Sequence, residues 1–85
     1  MDEGMIDGMQ YTILTEIEEH GARYAMARYT VSAPSGAKRT GMQVLRRRSD
    51  APEDDPWPWE VEPDLGIRAD VWEAVKRQFV RNPGP

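Results

Sequence analysis

Pro52, Pro56, Pro58 and Pro63 fall within one stretch of seventeen residues, 50–66. Each proline lacks a backbone N–H and fixes φ, so this stretch can form neither a helix nor a central strand. It must run extended across a surface. The chain is thereby divided into a segment before residue 50 and a segment after residue 66, and each reads differently.

Before the prolines the pattern has a period of two. Met9, Tyr11, Ile13, Thr15 and Ile17 alternate with Gln10, Thr12, Glu16 and Glu18, and Leu14 is the one apolar exception on the second face. Alternation rich in Thr, Ile and Tyr reads as a half-buried strand. Glu19-His20-Gly21-Ala22 supplies a turn, because Gly21 takes positive φ without steric cost. Residues 23–32 return as a second strand, although their alanines also suit a helix. Pro34-Ser35-Gly36 breaks the chain again. Residues 40–47 form a third strand, with Met42 and Val44 facing one way and Gln43 and Leu45 the other.

After the prolines the period changes. Asp70 with Glu73 three residues on resembles a capping box. Val71, Trp72, Val75 and Phe79 form an apolar stripe, and Asn82-Pro83-Gly84-Pro85 stops the helix. The expected fold class is therefore α+β: a three-stranded antiparallel meander, an extended Pro/Trp crossover and one C-terminal helix packed on the sheet, β-β-β-α. Residues 1–8, with Gly4 and Gly8, read as a flexible leader. Residues 9–82 read as a single domain that contains the crossover, and residues 83–85 as a tail.

Charge is strongly segregated. Residues 1–20 carry six acids and no base, residues 21–49 seven bases and no acid, and residues 50–66 seven acids and no base. Residues 67–85 carry four bases and two acids, so a formal net charge of −4 conceals the blocks.

Composition narrows the chemistry. With 85 residues the chain can bury one small core and has little to spare for a deep cavity. It has no cysteine and a single histidine, His20, which excludes disulfides and thiolate chemistry and leaves a zinc site short of ligands. Ser32, Ser35 and Ser49 lie in no nucleophile motif, and no glycine-rich phosphate loop is present. No enzyme, cofactor or metal site is expected. No apolar run approaches the length of a membrane span or signal-peptide core, so the expected location is cytoplasmic with no membrane contact.

Two surfaces stand out as binding candidates. Glu53, Asp54, Asp55, Trp57, Trp59 and Glu60 combine a proline-stiffened acidic strip with two indoles, which suits a basic surface on a partner protein. The competing reading is a strip folded back on the chain's own arginines, with the indoles completing the core. Arg28, Lys38, Arg39, Arg46, Arg47 and Arg48 form the second candidate surface, suited to phosphate contacts with DNA or RNA. The leading expectation is a non-enzymatic module that masks or bridges a charged surface of a protein. A nucleic-acid-binding accessory protein comes second, and a homo-oligomeric structural or virion subunit third. In size, acidity and lack of cysteine the chain is similar to small phage-encoded inhibitors, anti-CRISPR proteins among them. That likeness implies a protein-binding inhibitor and rests on no motif.

Overall fold

In a computed structural model, residues 3–81 are described, with side chains as far as Gln78. Five strands and one helix follow in order: β1 (Glu3–Ile6), β2 (Met9–Glu19), β3 (Ala22–Ser32), β4 (Lys38–Arg47), β5 (Trp59–Val61) and α1 (Leu65–Arg81). The strands pair antiparallel with their chain neighbours, in the sheet order β1-β2-β3-β4-β5. The class is α+β as expected, but the sheet has five strands and not three. The two additional strands are the outermost ones.

The first of these lies within residues 1–8, where a flexible leader is expected. Asp7 and Gly8 both have positive φ (50° and 80°) and form a two-residue hairpin turn. Such a turn twists in the same sense as the strands it joins. His20 and Gly21 repeat the device at φ 52° and 72° between β2 and β3. The second additional strand, β5, lies inside the proline segment. It pairs only Trp59–Val61 with Leu45–Arg47, at the sheet edge where prolines are tolerated.

A bulge at Leu14 corrects the expected facing of β2. Ile13 is opposite Ala27 but Thr15 is opposite Met26, so Leu14 is an extra residue. One inserted residue inverts the alternation. Tyr11 and Ile13 therefore face one side of the sheet, while Thr15 and Ile17 face the other. Leu14 itself is half-exposed.

The sheet has a core on each face, and the bulge lets β2 contribute to both. On one face Ile17, Tyr24, Met26 and Val44 pack with Val71, Ala74 and Val75 of α1, and Ile67 joins them. Positions 67, 71, 74 and 75 share one side of a helix. On the other face Tyr11, Ala25, Ala27, Leu45 and Trp59 are buried, with Ile13, Tyr29, Trp57 and Val61 against them. Small alanines at the centre of β3 leave room for the aromatic rings as the sheet curls. Gly4 is needed for this closure: a Cβ there would run into the Trp57 indole, so β1 seats directly on that ring.

The helix also begins earlier than the capping-box reading places it. Asp64 is the N-cap, and its Oδ1 accepts from the N–H groups of Gly66 (2.8 Å) and Ile67 (3.2 Å). Asp70 instead pairs with His20 at 2.9 Å across the helix–turn boundary. Trp72, expected in the buried stripe, is 42% exposed. The Phe79 side chain and residues 82–85, including the expected tail, lie outside the description.

Candidate functional site

The basic and acidic blocks meet through the register of β4 and β5. Arg46 is directly opposite Glu60, and its Nη2 donates to Glu60 Oε1 at 2.7 Å. Its Nη1 lies 3.5 Å from Oε2 of Glu62, whose side chain is almost fully buried. The hydrogen bond to Glu60 and the field of both carboxylates raise the Arg46 pKa against the opposing effect of burial. Arg47 donates to the carbonyls of Ala51 and Pro52 at 3.1 and 2.7 Å. Arg48 pairs with Asp55 Oδ2 at 2.5 Å, while Asp55 Oδ1 accepts from the Trp57 N–H at 2.9 Å.

These contacts divide the six strip residues. Asp55 and Glu60 are held by Arg48 and Arg46 of their own chain. Trp59 is buried at 8% exposure, and Trp57 is half-buried against β1. Glu53 and Asp54 remain outside. They occupy the two central positions of a turn closed by Asp55 N–H donating to Pro52 C=O at 3.1 Å, and both are exposed.

The six basic residues divide in the same way. Arg46, Arg47 and Arg48 hold the loop that leads to β5. Arg28, Lys38 and Arg39 stand at the other end of β4 and its partner β3; they are exposed and, among the described residues, in no ion pair. Arg28 is opposite Met42, Lys38 opposite Ser32 and Arg39 opposite Val31. Arg28 and Lys38 therefore share the helix-side face and Arg39 projects from the other.

That end of β4 has a feature no residue pattern announces. β5 covers β4 only at Leu45–Arg47, and Glu62 N–H adds one bond to the carbonyl of Val44 at 3.1 Å. Arg48 N–H donates to Pro58 C=O at 2.8 Å on the same side. Backbone groups alternate sides along a strand, so the N–H and C=O of Lys38, Thr40 and Met42 point to that same outer edge. Among the described residues nothing pairs with them. Met42 is 43% exposed. It borders a groove of about 310 Å³ between β4 and α1, lined by Met26, Val44, Arg68, Trp72 and Glu73. This open edge thus lies beside an exposed methionine and an exposed indole.

Two buried tyrosines complete the electrostatics. Burial raises the pKa of Tyr11, with Asp7 adding to it, and burial raises that of Tyr24, with Glu62 adding to it. No described helix is long and apolar enough to cross a membrane, and no group of three potential metal ligands occurs among the described residues. No family model, curated protein or solved structure matches the chain.

Proposed function

We propose that the chain is a small non-enzymatic protein-binding module. The observation that carries this reading is the open edge of β4, where Lys38, Thr40 and Met42 present backbone groups that are unpaired among the described residues, beside the Met42–Trp72 groove. Unpaired strand edges are templates for another chain. Exposed Trp and Met beside such an edge match the residue types enriched at interfaces.

A second surface supports the masking of a basic partner. Arg47 and Arg48 hold the loop so that Glu53 and Asp54 stand at the tip of a fixed turn. Carboxylates already in place lose less freedom when they meet a positive surface. Within the acidic strip the proposal thus narrows to Glu53 and Asp54, with Asp55, Trp57, Trp59 and Glu60 supporting them. Nucleic-acid binding is the weaker reading, because three of the six basic residues are engaged within the chain and the others lie on two faces.

Affinity capture from an extract of the source cell tests the proposal. A specific partner should be lost with Thr40→Pro or Trp72→Ala, or with the Glu53→Lys/Asp54→Lys double variant. Capture unchanged by all three would overturn both surfaces. Binding to random duplex DNA whose logarithm falls linearly with the logarithm of salt would favour the nucleic-acid reading instead.

A further inference from the structure

We infer that the open edge of β4 takes an extended acidic peptide as a sixth strand. The inference rests on the protein-binding reading and names the partner's chemistry. Lys38–Met42 spans five residues, roughly 17 Å of strand at about 3.4 Å per residue. Three of those residues offer both an N–H and a C=O to the edge. The incoming chain would be held by main-chain hydrogen bonds, which carry no sequence preference; preference must come from side chains.

The side chains at this edge are cationic. Lys38 and Arg39 lie on the edge strand, and Arg28 stands one strand in, opposite Met42. None has an acidic partner among the described residues. A second copy of the chain is disfavoured at the same place, because antiparallel pairing centred on Thr40 sets each Lys38 opposite the other copy's Met42, one strand from its Arg28, and gathers six cations along one seam. Charge on an edge strand is a known guard against self-pairing. Here the charges that repel a copy attract an acidic strand.

The far end of the edge fixes the register. Beyond Met42 the carbonyl of Val44 already accepts from Glu62, so the added strand must stop there. At that point the Met42–Trp72 groove opens, with Arg68 and Glu73 on its walls, so no net charge favours an acidic side chain there. The peptide's terminal side chain would then be apolar and lie against the indole. The expected ligand is an extended segment of alternating acidic residues that ends in one large aliphatic residue.

The probe is an end-blocked peptide of alternating glutamate and valine closed by leucine, titrated into the full chain and followed by amide NMR. Binding should slow hydrogen exchange of the Lys38, Thr40 and Met42 amides, and a lysine–valine counterpart should bind at least tenfold more weakly. Thr40→Pro removes an outward donor while leaving the bonds to β3, and should weaken binding about tenfold with the fold retained. Lys38→Glu with Arg39→Glu should reverse the peptide preference.

N-methylation of the peptide amides that face β4 avoids any question of protein folding and should abolish binding. Equal binding of the N-methylated and parent peptides overturns strand addition, and equal binding of acidic and basic peptides overturns the charge preference. Protection of the same three amides without peptide, rising with protein concentration, assigns the edge to a second copy and overturns the acidic occupant. Failure of the peptide while Thr40→Pro still abolishes partner capture overturns this inference alone. Capture unchanged by Thr40→Pro and Trp72→Ala overturns it together with the use of this edge in protein binding.

Discussion

The two ends of β4 carry the same residue types in opposite circumstances. At one end Arg46, Arg47 and Arg48 are tied to Glu60, Glu62, Asp55 and two carbonyls, and β5 closes the edge. At the other end Arg28, Lys38 and Arg39 are exposed, and among the described residues the outward backbone groups are unpaired. The difference does not lie in the basic residues. It lies in where the acidic segment returns to the sheet, which the β4–β5 register fixes. Opposite blocks of charge in a sequence therefore identify an internal clasp only where a strand brings them together; what the clasp leaves over is the surface available to others.

The sharpest way to break this comparison is to substitute arginines at the two ends. Arg46→Met leaves Glu62 buried without its cation, and removing one partner of a buried pair costs about 3 kcal/mol, the lower end of the usual range because Arg46 is partly exposed. Arg39→Ala at the open end should stay within about 0.5 kcal/mol. Urea denaturation of both variants decides the matter, and equal losses would refute the distinction.

A smaller effect is expected for Arg48→Ala. It removes a charge-assisted bond to the half-buried Asp55 and should lower stability by about 1.5–2 kcal/mol. It should also free the loop, raising the exchange rate of the Trp57 amide that Asp55 now accepts from. A stable variant with unchanged Trp57 exchange would show that Arg48 does not hold the turn bearing Glu53 and Asp54.

The smallest effect at neutral pH concerns the tyrosines, one towards each end of the sheet. Tyr11 and Tyr24 have folded-state pKa values raised above 10.0, mainly by burial. Their contribution is thus fully present below that value and lost as pH rises from it through the folded-state pKa, since the unfolded chain releases the protons more readily. Stability should be flat towards pH 9 and fall above 10. Tyr11→Phe and Tyr24→Phe should each lessen the fall, and Tyr11→Phe should cause no loss at pH 7, because its hydroxyl has no hydrogen-bond partner among the described residues. Thermal melts across alkaline pH measure this.

Much of the fold can be read in the residues. The His20–Gly21 turn, the return of β3, the strand at 40–47 and the exclusion of a helix or central strand from residues 52–63 all follow from local chemistry, whereas the edge strand β5 does not. β1 was missed because Gly4 and Gly8 suggest looseness when counted. Taken in place, Asp7-Gly8 is a hairpin turn and Gly4 a seat for Trp57. The Leu14 bulge had one visible sign, an apolar residue on the polar face, but parity alone does not say that the strand changes sides. Gly66 in the first turn of α1 hid the helix start at Asp64.

The candidate site was less legible. Composition exposes the charge blocks, but which arginine meets which acid depends on register. An open edge consists of backbone groups that every residue but proline possesses, so no side-chain pattern reveals it.

Hydrogen exchange along β4 of the free chain tests the open edge most directly. The account predicts an alternation at one end only: fast exchange at Lys38, Thr40 and Met42, protection at Arg39, Gly41 and Gln43, and protection at both Arg46 and Arg48. Uniform protection from Lys38 to Gln43 at low protein concentration would mean that another part of the chain already closes this edge, and would contradict the account.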